Sequence, residues 1–200
     1  MNLYETTETL SGPILQVHQW VQEAQDSSVA LPHAMNVASL DKDGRPSSRM
    51  VLLKRISQEG FVFFTDYEGN KGKQISNFPF VSLTFWWAKT NKQIRIEGEC
   101  SKVSDKENDE YFHSRPRGSQ ISASVSKQST PLESYESLVQ SSEAFEKENL
   151  DSVIERPDRW GGFIVEPKSI EFWIDQKNRL HKRELFKKDG LNWSKVLLSP

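Results

Sequence analysis

From about residue 35 onward the chain reads as a succession of short strand-length runs broken by turn signals, and this pattern restricts the fold more than any other feature. Residues 35–40 alternate weakly, and Asp41-Lys42-Asp43-Gly44 has the composition of a hairpin turn. Residues 47–54 (SSRMVLLK) are apolar at the centre, with Arg49 and Lys54 near the ends. Glu59-Gly60 turns into a run at 61–65, and further runs follow at 80–87 and 93–103. In the last of these Ile94, Ile96 and Gly98 alternate with Arg95, Glu97 and Glu99, so one face is wet. Three more strand-like regions lie at 161–165, at 170–174, and as a pair around 185–186 and 193–198.

Helical patterns are inserted between these runs and do not alternate with them. Ser11-Gly12-Pro13 is a helix start, followed by Ile14, Val17, Val21 and Ala24 on one face with Trp20 beside them. A short helix is expected at 73–77, stopped by Pro79. Ser104-Asp105-Lys106-Glu107 is a capping box that opens a helix to about His113. Thr130-Pro131 is read as the start of another, with Leu132, Tyr135, Leu138, Ser142 and Phe145 on one side. Residues 151–159 read as a linker and residues 1–11 as a flexible tail, leaving 12–200 as a single domain. No βαβ alternation, GxGxxG or Walker loop is present, so a Rossmann fold is not expected. The pattern predicts an α+β barrel or sandwich of antiparallel strands.

Composition and motifs remove several kinds of chemistry. With 26 Lys and Arg against 28 Asp and Glu, the net charge of −2 gives no general reason to bind nucleic acid or an anionic membrane. No apolar run is long enough to span a bilayer, and residues 1–12 lack the character of a signal peptide, so a soluble cytoplasmic protein is expected. Cys100 is the single cysteine and is read as a small core residue. His18, His33, His113 and His181 have no ligand spacing, so no metal site is expected, and no GxSxG elbow occurs.

Anion-binding groups, by contrast, are abundant. Residues 111–129 (YFHSRPRGSQISASVSKQS) contain Arg115, Arg117, Lys127, two glutamines and six serines but no carboxylate. Such a stretch is either a solvated basic loop or a phosphate site. Arg49, Lys54, Lys71, Gln93, Arg115, Ser119, Gln128, Ser129, Arg179 and Arg183 together suffice for two phosphates, which suggests a phosphorylated cofactor beside a phosphorylated substrate.

The motifs RMVLLK (49–54), FFT (63–65), YFHSRPRGSQ (111–120), SKQS (126–129), WGGF (160–163), EFW (171–173) and RLHKR (179–183) occur in an order and spacing that resemble the pyridoxine (pyridoxamine) 5′-phosphate oxidases. The resemblance runs from about Leu31 to Pro200. It implies a split β-barrel of the FMN-binding type with peripheral helices, forming a homodimer with FMN at the interface. It further implies oxidation of pyridoxine or pyridoxamine 5′-phosphate to pyridoxal 5′-phosphate, with oxygen as electron acceptor. Carried over by motif, Arg49, Met50, Val51, Leu52, Leu53, Lys54, Phe64, Thr65, Lys71, Gln93, Gln128, Ser129, Trp160 and Arg183 would bind FMN. Lys54, Tyr111, Arg115 and Ser119 would hold the substrate phosphate, with Arg179 and His181 as catalytic residues over the pyridine ring. Trp160 and Phe64 also have a plain reading as core aromatics. The chain departs from the family pattern at Leu31, at Asn70, in EFWIDQ, and at Lys182, where the motif usually has an aspartate. No R-x-x-Y segment is recognisable around Tyr4. These departures keep open a second reading, a carrier that binds FMN or pyridoxal phosphate with little or no turnover.

Overall fold

The computed structural model describes residues 4–6 and 9–200. In chain order the elements are β1 (Glu5–Thr6), α1 (Gly12–Asp26), β2 (Ala34–Leu40), β3 (Pro46–Leu52), β4 (Arg55–Ile56) and β5 (Phe61–Asp66). They continue with α2 (Asn70–Asn77), β6 (Phe80–Trp87), β7 (Lys92–Lys102), α3 (Asp105–Ser114), α4 (Arg117–Val125) and α5 (Tyr135–Glu148). The chain ends with β8 (Trp160–Ile174), a 3-10 turn (Lys177–Arg179), β9 (Lys182–Asp189) and β10 (Asn192–Leu198).

The strands form one curled sheet in the order β1-β4-β5-β8-β7-β6-β2-β3, with β9 on β8 and β10 on β9. Every pairing is antiparallel apart from β1 with β4, which is parallel, so the sheet is mixed and not wholly antiparallel as expected. The exception arises because the N-terminal segment adds to the free edge of β4, with Glu5 N–H donating to Lys54 O. Residues 4–6 are thus tied into the fold, contrary to the expected tail: Tyr4 is buried and its hydroxyl lies 2.7 Å from His18 Nδ1 on α1. The remainder of that expectation at residues 1–3 and 7–8 lies outside the described residues.

One element organises the others. The runs expected at 161–165 and 170–174 are a single strand, β8, fifteen residues long. Its first half pairs with β5, its second half pairs with β9, and β7 lies along its other edge throughout. The register slips between Glu97 and Gly98, opposite Pro167, where a proline cannot donate to the ladder. A Cβ on Gly98 would sit 2.4 Å from Glu166 O, so only glycine fits there.

Helix α1 closes the barrel with the face anticipated from its spacing: Ile14, Val17, Val21 and Ala24 are buried, and Trp20 packs edge-on against Phe172 at 4.9 Å. Burying each large aliphatic side chain of that face contributes about 1.5–3 kcal/mol. Cys100 joins the same core, as read from the alternation of β7. A smaller second core of Phe112, Ile121, Ile154 and Trp160 binds α3 and α4 to the start of β8.

Two helices differ from expectation. Helix α5 begins at Tyr135, capped by Ser134, and not at Thr130-Pro131. Helix α4 occupies the middle of the basic stretch, where no helix was expected. Its serine-rich sequence has poor propensity. Tertiary partners stabilise it: Ile121 is buried in the second core, and Arg159 Nη2 donates to the carbonyls of Ala123, Ser124 and Ser126 at its C-terminus. Among the described residues no helix is long and apolar enough to cross a membrane.

Candidate functional site

A cleft of about 480 Å³ opens where β3, the end of β5 and the start of β8 face the corner between α3 and α4. Strand β3 and its exit supply Met50, Val51, Leu52 and Lys54; β5 supplies Phe64, Thr65 and Asp66; Lys71 comes from the first turn of α2. The α3–α4 corner adds Tyr111, Arg115, Pro116 and Ser119, and Gln128 and Trp160 complete the wall.

The aromatic part of the wall is a stack. Phe64 lies parallel to Tyr111 at 4.0 Å and to Trp160 at 5.3 Å. Arg115 lays its guanidinium over Trp160 at 4.5 Å. The WGGF motif has a steric reason here, since a Cβ on Gly162 would come within 2.8 Å of the Phe64 ring. Phe64 and Trp160 therefore belong to both the packing and the cleft.

Cations concentrate on the same wall. Lys71 is buried, and its ammonium donates to Thr65 Oγ1 and, at 2.7 Å, to Gln128 Oε1. Burial first, and Arg49 second, push its pKa down to about 8, partly offset by Asp66. Lys54 is lowered by burial and by Arg115, and Arg115 is lowered by burial. Arg115 Nη1 is buried with no hydrogen-bond partner. Asp66 is the one carboxylate in the lining, and it is engaged elsewhere: it accepts from Arg159 at 3.1 Å and from the N–H groups of Glu68 and Gly69. A cleft with several partly desolvated cations and no free carboxylate fits a ligand with phosphate groups.

Arg49 does not line this cleft. Its guanidinium lies behind it, donating to Val37 O, Ser39 Oγ, Ser47 Oγ and Gln74 Oε1, yet close enough to depress Lys71. Leu53 points into the barrel core. Ser129 follows Gln128 in a left-handed conformation, φ 67°. Arg117 and His113 of the basic stretch have structural partners: Arg117 donates to the carbonyls of Asn149 and Ser152, and His113 Nε2 lies 3.2 Å from Ile154 O.

Gln93, Arg179, His181 and Arg183 fall elsewhere, at the far end of β8. Trp173 stands thirteen positions after Trp160 on that strand, roughly 40 Å of extended chain. Trp173 pairs in register with Gln93 on one side and Arg183 on the other, and its ring lies 4.5 Å from His181. Arg183 Nε donates to Glu171 at 2.7 Å, and Arg95 Nη1 donates to the same carboxylate at 3.1 Å. Asp175 Oδ1 is 2.9 Å from His181 Nδ1. Arg179 is exposed in the 3-10 turn, where it and Asn178 both have positive φ. Trp173 was not among the sequence-derived site residues, although EFW carried the signal. Asp66, Ser122, Ser126 and the polar set around Arg49 (Ser39, Ser47 and Gln74) were also missed, because serines and a turn aspartate carry no distinctive pattern.

Comparison with known proteins places this geometry. Residues 21–148 match the family described as pyridoxamine 5′-phosphate oxidase, and residues 160–200 match the pyridoxine 5′-phosphate oxidase C-terminal dimerisation region. A pyridoxine/pyridoxamine 5′-phosphate oxidase from Haemophilus influenzae is 44% identical over 189 residues, covering 94% of this chain and 90% of the relative. The one from Colwellia psychrerythraea is 46% identical over 182 residues, covering 91% and 84%. Among solved structures, PhzG from Burkholderia lata in complex with tetrahydrophenazine-1-carboxylic acid superposes with a TM-score of 0.90 at 30% identity, covering 96% of this chain and 95% of that one. A pyridoxamine 5′-phosphate oxidase-related, FMN binding protein from Nostoc punctiforme shares the fold, with a TM-score of 0.78 at 14% identity over 96% of this chain and all of that one. With matches of this identity running almost end to end, the chain belongs to the pyridoxine/pyridoxamine 5′-phosphate oxidase family and is an oxidase of those two vitamer phosphates.

Proposed function

We propose that the chain works as a homodimer in which each cleft holds FMN beside a phosphorylated vitamer, and that the site is completed by a second copy of the chain. The observation that supports this most is the buried, unpartnered Nη1 of Arg115 in a wall of cations whose single carboxylate is already engaged. Desolvated cations of this kind are matched by phosphate oxygens.

Lys71, Thr65, Gln128 and Ser129 would hold the FMN phosphate and ribityl chain, with Arg49 adding its charge from behind them and the backbone of Met50–Lys54 along the ring system. Lys54, Tyr111, Arg115 and Ser119 would bind the vitamer phosphate. These two sets share the cleft through Lys54, so cofactor and substrate lie side by side. Gln93, Trp173, Arg179, His181 and Arg183 would close the site from the second copy, since they lie at the opposite end of β8 in this chain. That division also gives the C-terminal dimerisation region a chemical reason.

The overall change is oxidation of the 4′ alcohol, or of the 4′ amine with water and loss of ammonia, to the aldehyde. FMN, when bound, would supply the two-electron acceptor, with oxygen as the final acceptor reduced to peroxide. The residues of the chain supply placement: the phosphate clamp fixes one end of the vitamer, and the stacked wall of Phe64, Tyr111 and Trp160 helps keep water out. Arg179 and His181 would cover the pyridine ring.

Aerobic incubation of the FMN-reconstituted protein with pyridoxine 5′-phosphate tests this. Aldehyde and peroxide should appear in equal amounts, and light scattering should show a dimer. Tight FMN and vitamer binding without aldehyde would hand the case to a carrier, and a flavin-loaded monomer would defeat the shared site.

A further inference from the structure

The loop from Asp175 to His181 is closed at its base by one side-chain pair, and nothing in the functional reading accounts for it. Asp175 Oδ1 lies 2.9 Å from His181 Nδ1, and the backbone N–H of Gln176 points at the same nitrogen from 3.3 Å. Both contacts cannot exist in one protonation state: the carboxylate needs a proton on Nδ1, and the amide needs a lone pair there. The shorter contact, to a charged acceptor, is the stronger of the two. His181 is largely sheltered, its ring resting against Trp173 at 4.5 Å, while Asp175 is half exposed. Asp175 is itself fixed, its N–H donating to Asn91 O at 3.0 Å.

The acid cannot come from the residue next to His181. That residue is Lys182, and its ammonium is turned along β9 to Glu184 at 2.9 Å. Asn178, Arg179 and Leu180, in the turn between Asp175 and His181, are exposed, and the ring's partners are Asp175, the Gln176 amide and Trp173. Asp175 is therefore the group that selects among the ring's states.

We infer that Asp175 is a positioning residue for His181: it accepts the Nδ1 proton, locks the ring on Trp173, and leaves Nε2 as the free nitrogen presented outward. This rests on the proposed role of His181 at the site of a second copy. The chemistry is that of an imidazole whose tautomer is set by a hydrogen bond to its other nitrogen. A neutral ring so held offers a lone pair at Nε2, and a protonated one offers a donor there, in the same orientation.

The test uses the FMN-reconstituted full chain labelled with nitrogen-15. Long-range proton–nitrogen spectra, with the His181 signals identified by His181→Asn, should show the neutral ring protonated at Nδ1. In Asp175→Ala the Gln176 amide becomes the remaining partner, so the proton should move to Nε2. In the same variant kcat should fall by about tenfold to a hundredfold, the scale expected for a misplaced group, with flavin content and KM nearly unchanged. Asp175→Asn keeps a neutral acceptor and should restore both the tautomer and part of kcat. A wild-type ring protonated at Nε2, or Asp175→Ala with wild-type kcat, would overturn the proposal. An Nδ1-protonated ring in a protein that turns over neither vitamer would instead sink the functional reading and leave the tautomer assignment standing.

Discussion

Around Trp160, at the start of β8, Lys54, Lys71 and Arg115 are drawn out of water while the only carboxylate of the lining, Asp66, is taken by Arg159 and two backbone amides. Around Trp173, near the end of the same strand, Glu171 neutralises Arg95 and Arg183, Asp175 meets His181, and Glu184 is shared by Lys182 and Lys195. One end leaves its cations without an acid partner of their own, while at the other Arg95, Arg183, His181, Lys182 and Lys195 each meet a carboxylate. The first arrangement is costly unless an anion arrives, which is the basis for proposing it as the receptor for phosphate. The second is already balanced, so it can be presented whole to another surface.

The sharpest way to break this contrast is to remove a cation from the uncompensated end. Arg115→Ala should raise the KM for the phosphorylated vitamer by roughly tenfold to a hundredfold, from loss of a charge-assisted bond of about 1.5–3 kcal/mol, with flavin affinity unchanged. Steady-state assays and a flavin titration check this. Loss of flavin with KM intact would reassign Arg115 to the cofactor.

A smaller effect, read in stability as well as in binding, is expected at Lys71. Its pKa of about 8 in the folded chain lies below the ordinary lysine value of 10.5, so the folded state holds fewer protons between those limits. Ligand-free stability should therefore gain from Lys71 deprotonation as pH rises through about 8 toward 10.5, and below about 8 the buried ammonium is a liability. Lys71→Met should leave the urea midpoint of the flavin-free protein at pH 7 unchanged or higher, while weakening flavin binding by about tenfold. In the unaltered protein, flavin affinity should fall as pH climbs above 8, because the phosphate site then has to take up a proton. A lower midpoint in Lys71→Met at pH 7 would show that its bonds to Thr65 and Gln128 outweigh desolvation.

The smallest change should come from the balanced end. Lys182 is mostly exposed, and Glu184 keeps Lys195 when it is removed. Lys182→Asp should alter stability by less than about 1 kcal/mol and kcat by less than about twofold. A large rise in kcat would mean that the acid usual at this position has a role Asp175 does not fill.

Much of this molecule was legible from residue order alone. Strand patterns at 80–87 and 93–103, the buried face of α1 and the Ser104 cap, whose Oγ accepts from Glu107 N, depend on neighbours within a few residues. Of the proposed site residues, Met50, Val51, Leu52, Lys54, Phe64, Thr65, Lys71, Tyr111, Arg115, Ser119, Gln128 and Trp160 come together in one cleft. Their chemistry was readable because a polar side chain of a given type in a motif is a local fact.

What only the tertiary structure decided involves partners far apart in the chain. Helix α4 stands because Arg159 and the second core hold it, against its own propensity. The parallel β1–β4 edge, the joining of two short runs into β8, and the pairing of Asp175 with His181 across a turn likewise have no counterpart in local pattern. The parting of Gln93, Arg179, His181 and Arg183 from the cleft belongs with them. Residue type and spacing determine which surfaces are apolar and which groups can hold an anion. Whether two such groups meet depends on strand register and on the closure of long loops, free energies summed over the whole fold.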